Sequence, residues 1–182
     1  GTVDMLAYFP VPYPDEPLYS ACARLFERSS NLSAGIFAEK IFGASAASAV
    51  LDLPGQLDHF VGILPLGHNH NWEYWGNHNT LLPYYRPFFT PDKNIQIVND
   101  MRQHNTRVVR QRAGITTSHV SSADGIRYCE KCIEEDRKNF GECYWHRVHQ
   151  IPGCRVCPIH LHPLSDTHIQ LKGRANRNLF IS

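Results

Sequence analysis

The chain has 182 residues, 42% of them apolar, and 18 Lys+Arg stand against 17 Asp+Glu for a formal net charge of +1. That length holds a core without a disulfide scaffold, the apolar share excludes a disordered chain, and the charge balance argues against a histone-like polybasic binder while leaving room for a local basic face. No run approaches the roughly 18–20 consecutive apolar residues of a membrane span and no basic-then-apolar leader is seen, so a soluble cytoplasmic protein is expected, with Gly1–Asp4 ahead of Met5 reading as a cloning remnant.

In chain order, Tyr8-Phe9-Pro10-Val11-Pro12-Tyr13-Pro14 is extended, because each proline disfavours a helical residue before it. Pro14-Asp15-Glu16-Pro17 opens a first helix with acids at the positive end of the dipole. Leu18, Ala21, Cys22, Leu25 and Phe26 share its buried face, where Cys22 is expected as a packed free thiol. Ser29-Ser30-Asn31 breaks the helix. Ser33 then caps a second one that carries Ile36, Phe37, Ile41 and Phe42 and closes at Gly43. The pair draws a helix-turn-helix outline, which any helical hairpin shares. Its second helix offers only Glu39 and Lys40 as charged residues, a thin provision for phosphate or base contact.

A small-residue stretch from Ala44 to Val50 leads to Pro54, suited to the first turn of a helix whose face continues through Leu57, Phe60, Val61 and Leu64. The aromatic, histidine-rich stretch 65–89 predicts a short helix near 72–80 and a packed, proline-turned connection. Pro91-Asp92 opens the longest predicted helix, reaching Arg112 with Ile95, Val98, Met101, Val108 and Val109 inward. Lys93, Arg102, Arg107, Arg110 and Arg112 make it the most basic element. These cations read either as a solvated face complementing the helix dipole or as a stripe for phosphate or a protein partner. The serine-rich link Thr116–Ser122 and the turn Ala123-Asp124-Gly125 predict a boundary. It separates a helical domain, 5–115, from a cysteine-rich subdomain, 123–168. A basic linker or tail, 169–182, with Lys172, Arg174 and Arg177, follows.

Of the 6 cysteines, Cys22 stands alone, whereas Cys129, Cys132, Cys143, Cys154 and Cys157 cluster. Such a local cluster points to a metal rather than to a disulfide framework. Cys129-Glu130-Lys131-Cys132 is a C-x2-C knuckle and Cys157-Pro158-Ile159-His160 a C-x2-H knuckle, together four ligands for one tetrahedral structural Zn2+. Soft sulfur donors argue against magnesium and calcium. Spacing alone leaves the ligand set open. Cys154-Arg155-Val156-Cys157 is also C-x2-C, so a four-cysteine site is slightly preferred, and Cys143, His146, His149 and His162 are near enough to compete. Between the knuckles, 133–140 reads as a short helix ended by Gly141, and 143–149 as a strand or second helix, with Tyr144 and Trp145 packing over the knuckles. The fold expected is mainly α: a helix-turn-helix-like helical bundle followed by a small zinc-finger subdomain.

These features together resemble the TniQ/TnsD family of transposon target-selection proteins. The resemblance rests on Phe9-Pro10-Val11-Pro12-Tyr13-Pro14-Asp15-Glu16-Pro17-Leu18-Tyr19-Ser20, on His78-Asn79-Thr80-Leu81-Leu82-Pro83-Tyr84-Tyr85-Arg86-Pro87-Phe88, and on a third block. That block runs from Arg127-Tyr128-Cys129 through Cys132, Gly141, Tyr144-Trp145 and Ile151-Pro152-Gly153 to Cys157-Pro158-Ile159-His160. The resemblance selects Cys129, Cys132, Cys157 and His160 as zinc ligands and makes Cys154 an extra thiol. Leu161 stands where the family often has glycine.

What the resemblance implies is target choice in DNA transposition without catalysis. Such a protein ties a target mark to an AAA+ ATPase regulator that recruits the transposase, with no small-molecule substrate, in a bacterial, nucleoid-associated setting. The mark is attachment-site DNA in the TnsD branch, which the opening blocks resemble more closely, or an RNA-guided CRISPR effector complex in others. Family members of that branch are longer, so an N-terminal portion is expected. Candidate nucleic-acid or partner contacts are Lys40, Arg102, Arg107, Arg110, Arg112, Lys172, Arg174 and Arg177. Competing readings are a stand-alone zinc-ribbon transcription factor and a metal-dependent nuclease suggested by His68-Asn69-His70, although that contiguous triplet lacks paired acidic ligands nearby.

Overall fold

A computed structural model describes residues 5–29, 32–43, 50–115 and 125–167. Among the described residues the fold is mainly helical, with a two-stranded antiparallel sheet near the C-terminal end. Helix α1 (Leu18–Arg28) follows Pro17, whose extended backbone sets the helix start. Eight consecutive residues of α1, from Leu18 to Leu25, are buried, so the helix is wrapped on all sides rather than presenting one apolar face. Cys22 is fully buried and free, and burial pushes its thiol up from the ordinary value.

Helix α2 (Ala34–Phe42) has the expected caps. The Ser33 hydroxyl accepts from the Ile36 amide, and Gly43 ends the helix in the left-handed conformation that glycine adopts without a Cβ penalty. Phe26 and Phe37 join α1 to α2 with ring centroids 5.1 Å apart. Helix α3 (Leu57–Ile63) starts later than expected: Gln56 is its N-cap, and Pro54 lies ahead of the first turn. Helix α4 (Trp72–His78) is capped by the Asn71 side chain, and α5 (Leu82–Tyr85) with the 3-10 turn Arg86–Phe88 forms the proline-turned connection. Trp75, Phe60 and Phe9 make edge-to-face contacts at the centre of the core, with centroids 5.1–5.8 Å apart.

The long helix expected over 91–112 is two helices, α6 (Pro91–Gln103) and α7 (Thr106–Ala113). The chain turns at His104-Asn105, where the Asn105 side chain accepts from the Val108 amide and restarts the ladder. A tertiary contact fixes that break. The His104 carbonyl accepts from the Gln56 amide at 3.0 Å, and the Thr106 hydroxyl accepts from the Gly55 amide at 3.1 Å. A Cβ on residue 55 would sit 2.2 Å from the His104 oxygen, so only glycine admits this approach. Within α6 the inward stripe also differs from expectation: Ile97 and Met101 face the core, whereas Ile95 is 63% exposed.

The segment 116–124, where the domain boundary was expected, and the tail 168–182 lie outside the described residues. On the far side, strand β1 (Arg127–Tyr128) leads into α8 (Glu130–Phe140), which Gly141 ends in the left-handed region. The stretch 143–146 is neither strand nor helix, and a short α9 (Arg147–Gln150) follows. Strand β2 (Ser165–Asp166) returns antiparallel to β1, with Arg127 opposite Asp166.

The cysteine-rich part packs directly on the helices. Ile126 belongs to the main core and Trp145 packs at its edge. Tyr144 sits among Tyr13, Phe140 and His146, and its hydroxyl donates to the Pro14 carbonyl at 2.9 Å. Tyr144 and Trp145 thus bridge the two parts, while also bordering the space beside Cys129 and Cys132. Glu16 and Arg24 form a fully buried bidentate pair at 2.8 and 2.9 Å, supported by Ser20 and the Tyr13 amide. Arg24 and Arg28 then reach Glu142, just past α8, so the acid expected at the α1 dipole instead anchors a charge network between the parts.

Candidate metal centre

The Cys129 knuckle is built by a strand running into a helix. Cys129 occupies the N-cap of α8 and Cys132 lies in its first turn, where the helix dipole and free amides favour thiolate. Strand β1 is held by Gln150, which accepts from the Arg127 amide at 3.1 Å and donates to its carbonyl at 2.7 Å. The Arg127 guanidinium, nearly buried, donates to the carbonyls of Ile151 and Cys154 and so shapes the turn leading to the second knuckle.

That second knuckle is the tip of a small loop. Val156 pairs with Pro163, the Leu164 amide donates to Arg155, and the Thr167 amide donates to Ile126. Within the tip, the Leu161 amide donates to the Cys157 carbonyl at 2.8 Å, which turns His160 back toward the sulfurs. Leu161 adopts φ 50, a left-handed conformation that explains why glycine suits this position.

The two knuckles converge. Among the described residues, Cys129, Cys132, Cys157 and His160 bring their ligand atoms within 4.8 Å of one another and form a cluster that could hold a metal ion. Cys132 Sγ lies 3.7 Å from Cys157 Sγ, and His160 Nδ1 lies 3.7, 3.3 and 3.7 Å from the sulfurs of Cys129, Cys132 and Cys157. A tetrahedral ion with metal–sulfur bonds of about 2.3 Å places its sulfurs about 3.7–3.8 Å apart, and the Cys132–Cys157 separation matches that spacing. All three sulfurs are buried. Burial, with Cys157 and Cys129 alongside, pushes the Cys132 thiol up from its ordinary value, so thiolates gathered here require a compensating cation.

The competing residues point elsewhere. Cys154 Sγ donates to the Val156 carbonyl at 3.3 Å, His162 is half-exposed beside the Pro163 carbonyl, and Cys143 is half-buried. His146 Nε2 pairs with Asp136 at 2.8 Å. His149 Nε2 sits 3.7 Å from Cys132 Sγ, outside the four donors, and burial holds its imidazole down at about 4. His160 turns Nδ1 to the sulfurs and Nε2 to Glu135 Oε1 at 3.0 Å, a bond that raises the imidazole's pKa. Glu135 carries no sequence signal beyond lying three residues after Cys132, one helical turn on.

The basic residues divide. Arg102 pairs with Asp58 at 3.0 Å and lies over the Trp72 ring, Arg110 pairs with Asp52 at 3.1 Å, and Arg112 with Asp100 at 2.6 Å. Arg107 is exposed on α7, Lys40 is half-buried on α2, and Lys172, Arg174 and Arg177 lie outside the described residues. His68 bonds the Phe9 carbonyl at 3.1 Å, and His70 stacks on Tyr74 at 3.6 Å, so neither joins an acidic metal site.

Sequence reasoning missed the residues that join the motif blocks to one another. Asp15, in the first block, accepts from Arg147 Nε at 2.9 Å and from the Val148 amide at 3.0 Å, capping α9. Arg147 Nη1 donates to the carbonyls of Thr80, in the second block, and of Asn77, just ahead of it, each at 2.9 Å. Asn79 returns to the first block through the Glu16 carbonyl at 2.8 Å. Beside this junction lies a cleft of ≈ 530 Å³ bordered by Tyr13, Asp15, His68, His70, His78 and Arg147.

Comparison with known proteins agrees with this arrangement of blocks. The family model described as TniQ matches residues 7–164. The chain is also 28% identical over 152 residues to the Escherichia coli protein described as Transposon Tn7 transposition protein TnsD. That match covers 84% of this chain and 30% of the relative, so the chain spans under a third of that protein's length. With its motif blocks, its Cys3His cluster and a family model covering most of its length, the chain belongs to the TniQ family.

Proposed function

We propose that this chain is a non-catalytic target-selection module of DNA transposition, stabilised by one structural Zn2+ on Cys129, Cys132, Cys157 and His160. The observation that carries the reading is the family match over residues 7–164 together with a relative named as a transposition protein. The donor set supports zinc: three soft sulfurs and an imidazole at tetrahedral spacing fill four positions and leave none for a reacting water. The module links a target mark, either attachment-site DNA or an RNA-guided effector complex, to an AAA+ ATPase regulator that recruits the transposase. Any direct contact is assigned to basic positions, first to Arg107, which is exposed on α7, with Lys40, Arg102, Arg110, Arg112, Lys172, Arg174 and Arg177 as further candidates. The Glu16–Arg24–Glu142 network, which runs from a buried pair out to the half-exposed Glu142, weighs against a stand-alone zinc ribbon, because the cysteine-rich part takes its support from the helices.

The test is reconstitution with an AAA+ ATPase transposition regulator. Co-migration of the chain with ATPase assembled on DNA, without strand cleavage, is the expected outcome. Cleavage of plasmid DNA by the zinc-loaded chain, or no association with the ATPase at low and moderate salt, overturns the reading.

A further inference from the structure

Resting on the metal-site reading above, we infer that His149 is a positioning residue for the metal centre: its Nε2–H donates to the Cys132 thiolate from outside the ligand set. The geometry is specific. His149 is 1% exposed, and its Nε2 lies 3.7 Å from Cys132 Sγ, within the range of an N–H···S bond. A thiolate carries no proton, so in this contact the nitrogen is the donor and the neutral ring must hold its hydrogen on Nε2. Cys132 is also the sulfur nearest the His160 ligand nitrogen, at 3.3 Å, and sits in the most crowded part of the cluster. Three thiolates on one divalent ion leave a net negative charge, and a donor aimed at one sulfur disperses it while fixing the sulfur's direction.

The position of His149 in the chain gives the bond a second consequence. It stands on α9, which Asp15 caps and from which Arg147 grips the carbonyls of Asn77 and Thr80. Next to it, Gln150 clamps Arg127 on β1. The thiolate bond therefore ties the metal to the helix that joins the three motif blocks.

The experiment uses the zinc-loaded chain. Long-range nitrogen–proton NMR on the unmutated protein is expected to place the His149 hydrogen on Nε2, and a hydrogen on Nδ1 overturns the proposal. His149→Phe is expected to weaken zinc affinity about 10- to 100-fold in chelator competition, as loss of an outer-sphere partner does. His149→Gln, whose amide nitrogen reaches nearly the same point, is expected to recover most of that loss. Equal affinity in wild type and His149→Phe overturns the role, as does failure of Gln to rescue. A wild-type chain that binds no zinc sinks the underlying metal reading itself, which is a different result from a zinc-bound chain indifferent to residue 149.

Discussion

Asp15 and Arg147, 132 residues apart in sequence, meet at 2.9 Å, and the same carboxylate caps α9 through the Val148 amide. Asp15 itself has φ 58, a conformation Asn tolerates and Ala does not. Asp15→Asn is therefore expected to cost about 1–2 kcal/mol by weakening charge-assisted bonds, and Asp15→Ala to cost more. Urea unfolding of both variants checks the order; an Ala variant at least as stable as the Asn variant contradicts it.

The Glu16–Arg24 pair is closed to solvent. Glu16→Gln removes the buried partner of the Arg24 guanidinium, leaving only the half-exposed Glu142 as counter-charge, and is expected to destabilise by about 3 kcal/mol. The midpoint of chemical denaturation measures this, and a change below about 1 kcal/mol would show the site to be more hydrated than its burial indicates.

Glu142 gives a pH dependence of known sign. Partial burial works to raise its pKa, but the Tyr13 hydroxyl and the Arg28 and Arg24 guanidiniums overcome this and hold it below the usual carboxylate range. A depressed folded pKa stabilises the protein above the unfolded value, about 4.3 for Glu, and that contribution is lost as pH falls through the folded value. Glu142→Gln should accordingly narrow its stability gap to wild type on acidification below about pH 4. A gap that widens in acid refutes the assignment.

Metal removal should unfold the cysteine-rich part, because the knuckles hold only short elements together. Cys157→Ser is expected to lose the ion and the near-ultraviolet signal of Trp145, whereas Cys154→Ser keeps one zinc per chain by mass spectrometry. Zinc loss in Cys154→Ser would restore the four-cysteine site.

Leu161 is 80% exposed and left-handed, so its side chain contributes little packing while its backbone is strained. Leu161→Gly is expected to stabilise the zinc-loaded chain by about 0.5–1 kcal/mol, the left-handed penalty less the extra entropy of glycine. A lower thermal midpoint for the Gly variant would show that the residue packs in solution.

Local chemistry was legible from the sequence alone. The caps at Ser33 and Gly43, the start of α6 at Pro91 and the end of α8 at Gly141 each depend on residues within a turn of where they act. The knuckles belong to the same class, since two intervening residues suffice to aim a pair of ligands at one ion. The preference for His160 over Cys154 came from family resemblance, and spacing favoured the opposite choice.

Tertiary structure decided what depends on distant partners. The break at His104-Asn105 follows from the approach of Gly55, which no periodicity within 91–112 contains. Asp15 and Glu16 looked like dipole acids beside α1, yet one caps α9 and the other neutralises Arg24. Arg102, Arg110 and Arg112 resembled a free basic stripe until Asp58, Asp52 and Asp100 were brought against them. A charged side chain advertises its sign in the sequence, but which opposite charge it meets is set by the packing of remote elements, because electrostatic partners need proximity in space and not along the chain.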